Sequence, residues 1–317
     1  MKNRQSQYDV TNSVNVSDSQ AVCNAVCDIF HSCYLTADDS TIRRAFEDFD
    51  NLFEGYYSGF NACDTFYHDK QHTLDMTLAL ARLIDGHERQ SNRHHTFGEK
   101  LTSLAIITAL FHDSGYIRKR DDHINHNGAQ YTAIHVTRSA EFLHNYLHMN
   151  NMPEYAEFAT NMVHYTGYEV PPQNIKLPDE KLHLLGYMIG TADLIAQMSD
   201  RCYLEKCRDR LFPEFELGGT TTKQQSDGTP VVLFNSPDDL LAKTPVFYNI
   251  EVKQRLNSLF QQVYKYAEAH FGGDNLYLNY LDKNIRHIES LVASNQIDEL
   301  HRLPPENYGT KQFLDKN

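Results

Sequence analysis

Residues 69–84 read DKQHTLDMTLALARLI, and residues 100–112 read KLTSLAIITALFH. Both stretches predict α-helices that are rich in apolar residues. Gly115, three residues after the second stretch, supplies a helix stop signal. We therefore expect two helices at the centre of a helical protein, with polar residues at the end of the second one.

Helical patterns continue on both sides of these two stretches. Apolar residues recur three and four positions apart in residues 21–34 and 41–53. Residues 217–230 (LGGTTTKQQSDGTP) predict a flexible excursion, and PVVLF at 230–234 a short strand. The other predicted helices are residues 130–147, 153–166, 181–210, 246–271 and 277–295.

The domain organisation follows from the same patterns. The 317 residues contain no internal repeat and no clear linker between two compact halves. The simplest interpretation is one all-α domain at residues 19–300. We expect residues 1–18 to be disordered and residues 301–317 to form a polar tail, because both segments are polar.

Charge and hydropathy exclude several functions. The chain has 29 Lys and Arg against 42 Asp and Glu, a formal net charge of −13. Nucleic-acid polymers need a basic surface, so they are not expected partners. The longest apolar run, Leu104–Phe111, is too short to cross a membrane, and the N-terminus has no apolar signal region. We expect a cytoplasmic protein with no membrane partner and six unpaired cysteines.

Histidine and aspartate residues stand at positions that predict a metal site. The chain has 17 histidines, and His68 and His72 are four residues apart on one predicted helix face. His112 and Asp113 end an apolar helix, where a buried carboxylate needs a partner or a metal. His135, His164 and Asp193 each lie in a largely apolar helix. Taken singly, each of these three also fits a hydrogen-bonded core residue, but the whole set favours a metal site.

The order His72, then His112–Asp113, then Asp193 resembles the HD-domain superfamily of metal-dependent phosphohydrolases. The resemblance implies an HD-domain helical bundle with N- and C-terminal helical additions. Its metal core would cover about residues 60–210, and a C-terminal helical extension about residues 230–300.

Two branches of this superfamily are similar to different parts of the chain. YHDKQHTLD at residues 67–75 resembles the YHNxxHxxD opening of the cyclic nucleotide phosphodiesterases, and TADL at 191–194 resembles their ADL segment. In that branch the first histidine of the motif protonates the leaving oxygen and the second binds metal. The resemblance therefore implies that His68 is a general acid and His72 a metal ligand.

The middle of the chain is similar to the HD-GYP phosphodiesterases in the segments IHVTRSAEFL, VHYTG and DLIAQMSDRCYLEK, although no GYP motif follows His164. This similarity implies that His135 and His164 are ligands of a second metal ion, and Asp113 would bridge the two ions. The implied metal ligands are His72, His112, Asp113, His135, His164 and Asp193.

These nitrogen and oxygen ligands suit two divalent ions, with Mn, Fe, Mg, Ni and Zn all open. Two such ions can activate a bridging hydroxide for in-line attack at phosphorus. We therefore expect a phosphodiesterase for a small phosphorylated, nucleotide-like substrate, with His68 and Asp113 as catalytic residues. Gln197 and Arg201 lie four and eight residues after Asp193, share its predicted helix face and are candidate substrate-binding residues.

Other interpretations remain open from the sequence. Some HD-type proteins with a similar ligand pattern resemble mixed-valent di-iron oxygenases, and a non-catalytic nucleotide-binding HD domain is a third alternative. A structural ion pair would equally explain Arg201. Residues 217–295 fit either a lid over the pocket or a surface for a homodimer.

Overall fold

The computed structural model describes residues 4–92, 95–224, 229–307 and 309, and it is an all-α fold around one deeply buried helix. That helix, α3 (Lys70–Gln90), is buried at every position from Gln71 to His87. The Asp69 carboxylate caps its first turn by accepting the His72 backbone N–H at 2.9 Å. The helices that pack around α3 are α1 (Ser19–Cys33), α4 (Glu99–Leu110), α7 (Glu180–Ser199) and α11 (Tyr266–Phe271).

The remaining elements lie outside this inner group. A two-stranded antiparallel hairpin pairs Thr222 with Val232, and its second strand confirms the strand predicted at residues 230–234. The hairpin strands are β1 (Thr222–Gln224) and β2 (Pro230–Val232). The outer helices are α2 (Ser40–Phe53), α5 (His135–Met149), α6 (Ala156–Met162), α8 (Tyr203–Lys206), α9 (Phe212–Leu217), α10 (Pro237–Phe247) and α12 (Leu276–Ser294).

The predicted helix at residues 181–210 is interrupted at residues 200–202, and helical turns resume at Tyr203. α7 ends at Ser199, and the next residue, Asp200, has an extended ψ of 140°. The Asp200 carboxylate accepts the Cys202 backbone N–H at 2.5 Å and pairs with the Lys206 ammonium at 2.7 Å. A side chain that satisfies nearby backbone donors competes with helix continuation, and here it turns the chain. Arg201 therefore does not share a helix face with Asp193.

Three other predicted helices are interrupted. Residues 128–131 form a separate 3-10 turn before α5, and the segment from Pro153 to Tyr165 divides into 3-10, α and 3-10 turns. The predicted helix at 246–271 starts earlier, at Pro237, and continues through π-helical turns. It then breaks where Gln261 and Gln262 take positive φ angles of 51° and 60°.

The predicted disorder of residues 1–18 is wrong for the part that the structure describes. Val10 and Val16 are buried in the core, and Asp9 is 1% exposed. The Asp9 carboxylate accepts the Arg82 guanidinium of α3 at 2.5 Å and the backbone N–H groups of Ser13 and Val14. A buried ion pair to the central helix thus orders a segment whose composition is polar. Residues 1–3 lie outside the described residues.

The predicted loose tail at residues 301–317 is also ordered where it is described. The Asn307 side-chain amide donates to the Asp69 carboxylate and to the Phe66 carbonyl, both at 2.7 Å. The Arg302 guanidinium donates to the Arg201 carbonyl at 2.5 Å. Asn307 therefore packs against the loop that precedes α3, and Arg302 packs against the turn that follows α7. Residues 308 and 310–317 lie outside the described residues.

Two further predictions concern the surface and the thiols. Within the described ranges, no helix has both the length and the apolar character needed to cross a membrane. All six cysteines are free, and all but the half-buried Cys33 are buried, as expected for unpaired thiols in the core. The compartment stays a prediction.

We predict that Asp9→Asn lowers the free energy of unfolding by about 3–5 kcal/mol, because it leaves the buried Arg82 charge without its partner. Urea unfolding followed by circular dichroism measures this loss. Asp28→Asn, at an exposed position of α1, is the matched control and should change stability little. Equal stability of the Asp9→Asn variant and the wild type would contradict the anchoring role of this pair.

Candidate metal centre

Four of the predicted ligands converge at one point in the interior. His72 comes from α3, His112 and Asp113 follow the C-terminal end of α4, and Asp193 lies within α7. His72 Nε2 is 3.4 Å from Asp113 Oδ2 and 3.2 Å from Asp193 Oδ1. His112 Nε2 is 3.1 Å from the same Asp113 oxygen and 3.9 Å from the same Asp193 oxygen. Three helices therefore direct two imidazole nitrogens and two carboxylate oxygens at a common centre.

Backbone carbonyls fix the orientation of two histidine rings. His112 Nδ1 donates to the Ala109 carbonyl at 2.8 Å, and His135 Nδ1 donates to the Thr132 carbonyl at 2.7 Å. Ala109 belongs to the last turn of α4, whose carbonyls lack intrahelical partners and are free to accept. With Nδ1 held by a carbonyl, Nε2 is the nitrogen of each ring that would bind a metal, the arrangement found for metal-binding histidines.

The two oxygens of Asp113 face different histidines. Oδ2 faces His72 and His112, whereas Oδ1 lies 3.9 Å from His135 Nε2. Asp113 therefore lies between two groups of candidate ligands, with His72 and His112 at one oxygen and His135 at the other. A carboxylate that bridges two metal ions would need this arrangement, with His135 as a ligand of the second ion.

The buried polar atoms of this cluster fit a cation. His112 Nε2 and Asp113 Oδ2 are buried and neither has a hydrogen-bond partner. One ligand atom from each of His72, His112 and Asp113 lies within 4.8 Å of the others. Burial opposes ionisation of both groups, but their mutual attraction raises the pKa of His112 to about 9 and lowers the pKa of Asp113. A divalent ion would satisfy both atoms directly, so the donor set suits a metal.

His164 is not linked to this cluster. Within the described part of the chain, no ion pair or ring contact joins it to the other predicted ligands. Its Nδ1 atom is buried without a hydrogen-bond partner, and burial lowers its pKa. Its assignment as a ligand of a second metal ion therefore stays a prediction.

The two predicted substrate-binding residues have different positions. Gln197 lines the cavity beside the cluster, where it accepts the Tyr67 hydroxyl at 3.1 Å and donates to the Asp193 carbonyl at 3.2 Å. Arg201 follows the end of α7 and does not line that cavity. The helix-face argument was wrong for Arg201 because the turn at Asp200 removes it from the helix.

The carboxylate partner of His68 was not identifiable from the sequence, and the structure supplies it. His68 Nδ1 bonds to Glu214 Oε1, while Oε2 of the same carboxylate accepts the backbone N–H groups of Phe66 at 2.9 Å and Tyr67 at 2.7 Å. Burial opposes ionisation of His68, but the charge of Glu214 and this hydrogen bond raise its pKa to about 9. The contact with Glu214 therefore favours the protonated form of His68.

Tyr116 contacts both His68, the candidate general acid, and His135, the histidine that faces Oδ1 of Asp113. Its ring stacks on His68 at 4.5 Å and on His135 at 4.4 Å, with interplanar angles of 17° and 21°. The sequence offered one signal for this residue, because Tyr116 follows the HD-x-G stretch at a position where the HD-GYP branch has lysine. The stack holds two histidines side by side at the wall of one cavity.

This cavity has a volume of about 520 Å³, within the range of small-molecule sites. His68, His72, Asp113, His135 and Asp193 all line it. One part of its wall comes from the C-terminal part of the chain. The residues of that part of the wall are Phe215, Phe234, Leu240, Lys243, Thr244 and Phe247.

Comparison with known protein families gives a match over most of the candidate site. The family model described as Npun_R2479-like matches residues 57–289, which is more than half of the chain and includes every residue of the cluster. No curated protein and no solved structure matches the chain.

We predict that Glu214→Gln lowers the free energy of unfolding by about 3–5 kcal/mol at pH 6, because it breaks a buried ion pair. The pKa of His68 is raised to about 9 in the folded protein. The pair therefore contributes fully below the unfolded pKa of about 6.5, and its contribution is lost as the pH rises through 9. The stability difference between wild type and variant should narrow over that range.

Denaturant unfolding at several pH values measures this difference. Glu216→Gln, at an exposed position of the same helix α9, is the matched control and should follow the wild type at every pH. A Glu214→Gln difference that is constant from pH 6 to pH 9.5 would show that His68 is not ionised by this contact.

Proposed function

The chain belongs to the Npun_R2479-like family, and we propose that it is a metal-dependent phosphohydrolase, in particular a phosphodiesterase acting on a nucleotide-like substrate. One observation carries the proposal. His68, which is hydrogen-bonded to the buried carboxylate of Glu214, lines the same cavity as a cluster of two histidines and two aspartates that suits a divalent ion. Phosphoester hydrolysis needs charge stabilisation at phosphorus and a proton for the leaving oxygen, and this cavity offers groups for both.

The residues that would hold the principal ion are His72, His112, Asp113 and Asp193. Such an ion stabilises negative charge on phosphoryl oxygens and lowers the pKa of water. Oδ1 of Asp113 and Nε2 of His135 support a second metal position, which has fewer protein ligands than the first. Mn, Fe, Mg, Ni and Zn all accept these nitrogen and oxygen donors.

His68 has the features of a general acid. Glu214 holds its Nδ1 atom, so that Nε2 is left as the nitrogen that can deliver a proton. The raised pKa keeps that proton in place at neutral pH, until a leaving alkoxide of much higher basicity accepts it. Tyr116 packs flat against the ring and limits its rotation. Glu214 and Tyr116 thereby orient the His68 ring without taking part in the reaction themselves.

The cavity walls support a small substrate with a flat organic part. Aromatic side chains that line the cavity, including Tyr67, Tyr168 and Phe247, suit a planar ring such as a nucleobase. Lys243 is the one Lys or Arg among the described residues of the lining, and it is already paired with Asp239 at 2.8 Å. Because the cavity has so little positive charge of its own, it suits a single phosphate group at the metal centre better than a polyphosphate.

A di-iron oxygenase is the alternative that one observation favours. His135 is held with Nε2 facing the second oxygen of Asp113, as a second metal ion would require. Oxygen consumption by the iron-loaded protein separates the two classes. We favour the phosphohydrolase because hydrolysis needs an acid that protonates the leaving oxygen, and His68 is placed to be that acid.

We predict that the purified protein binds at least one divalent ion per chain and that Asp113→Ala abolishes this binding while the helices are retained. The reason is that both oxygens of Asp113 face histidine ligands. Elemental analysis after loading with Mn²⁺ or Fe²⁺ and dialysis measures the ion content, and circular dichroism measures the helices. Asp121→Ala, an exposed aspartate near the same loop, is the control. Retained binding in Asp113→Ala would overturn the metal centre.

We also predict that His68→Gln lowers kcat by about 10²–10⁴-fold on phosphodiesters with an alkoxide leaving group, without loss of metal. Cyclic nucleotides and bis(p-nitrophenyl) phosphate form the test panel. The p-nitrophenyl diester should lose much less, because p-nitrophenolate leaves without a proton. His123→Gln, at an exposed position, is the control. Equal losses on both kinds of leaving group would contradict a role as general acid, and no turnover by the wild type would argue against the proposed function.

A further inference from the structure

A small polar void adjoins the metal cluster and shares Tyr67, His72 and Gln197 with the lining of the large cavity. Its volume is about 10 Å³. The residues around it come from the central helix α3, from the end of α7, from α8 and from the loop before α3. They are Tyr67, His72, Asp75, Gln197, Asp200 and Lys206. A void of this size is close to the smallest that admits one water molecule, so it excludes any larger ligand.

Asp75 has an unsatisfied oxygen at this void. Its side chain lies three residues after His72 on the same face of α3, and it is 6% exposed. Its Oδ1 atom is buried and has no hydrogen-bond partner. A buried carboxylate oxygen without a donor is costly, which makes this atom the acceptor that needs an explanation.

Lys206 has a donor to spare at the same place. Its ammonium group donates to Asp200 Oδ2 at 2.7 Å and to Gln71 Oε1 at 3.1 Å. A lysine ammonium carries three N–H groups, so one remains after these two bonds. Its charge is balanced by Asp200, which leaves the carboxylate of Asp75 without a cation of its own at the void.

The Nδ1 atom of His72 requires a hydrogen-bond partner. Its Nε2 atom faces Asp113 and Asp193, so binding a metal there leaves the ring proton on Nδ1. Metal-binding histidines donate that proton to a carboxylate, a carbonyl or a water molecule, which fixes the ring. His112 and His135 use carbonyls for this purpose. Among the described residues, no hydrogen bond is found for Nδ1 of His72.

We propose that one water molecule occupies this void and connects His72 to Asp75. The water would accept the Nδ1 proton of His72 and the third N–H of Lys206, and would donate to Oδ1 of Asp75. This arrangement satisfies every open donor and acceptor named above with three bonds, the usual number for a buried water. Asp75 is then a positioning residue that orients the His72 ring through the water. The inference rests on the proposed metal centre.

The experiment measures Co²⁺ binding to the full chain by competition with a chromophoric chelator and by visible absorption. Asp75→Ala removes the acceptor and should weaken Co²⁺ binding about 10–100-fold and alter the absorption bands, as loss of a supporting partner does at other metal sites. Asp75→Leu has nearly the shape of aspartate and should do the same if Asp75→Ala fails to fold. Asp75→Asn keeps an acceptor oxygen and should recover most of the affinity and the wild-type bands.

Asp85→Asn is the matched control, because Asp85 is a buried aspartate of the same helix that pairs with His270 and Arg89. It should lower stability but leave the Co²⁺ affinity and spectrum unchanged. Wild-type affinity and spectrum in folded Asp75→Ala or Asp75→Leu would overturn the inference, as would an Asp75→Asn protein as weak as Asp75→Leu. A wild-type chain that binds no Co²⁺ would instead refute the metal centre itself.

Discussion

The carboxylate of Asp113 is buried in the interior, and the rest of the site is arranged around that charge. Desolvation alone would force such a group to bind a proton. The charge of His112 and its hydrogen bond, followed by the charges of His68 and His72, outweigh desolvation and lower the pKa of Asp113. These histidines come from the end of α4, from the loop before α3 and from α3, so the compensation of a single charge requires α3 and α4 to be packed correctly. The buried stretch Gln71–His87 of α3 provides the fixed surface for that packing.

The same requirement explains the position of Glu214. Its carboxylate is fully buried, and it closes a contact with His68 across 146 residues of sequence. Three backbone N–H groups of residues 66–68 donate to it, and these residues form the turn that leads into α3. One glutamate thus shapes the start of the central helix and holds the candidate acid. The C-terminal part of the chain contributes to the chemistry as well as covering the cavity.

Much of the fold and part of the site could be predicted from the sequence. Long apolar helices such as α3 and α4 follow from local composition, and His72, His112, Asp113 and Asp193 stand out because polar residues within apolar helices need partners. The errors lie where a side chain overrides local propensity. The Asp200 turn ends α7 early and displaces Arg201, and the Asp9–Arg82 pair orders a polar N-terminal segment that composition marks as disordered.

By itself, the sequence determined that the protein is helical, since the spacing of apolar residues defines helix faces, and it offered six candidate metal ligands. Only the tertiary structure brought four of them, His72, His112, Asp113 and Asp193, to one centre. It also decided that Glu214 is the partner of His68, that Tyr116 stacks against both His68 and His135, and that Asp75 lies at a polar void beside His72. Such contacts join segments far apart in the chain or depend on which face a neighbouring helix covers. They arise from packing in three dimensions, which periodicity and composition do not encode.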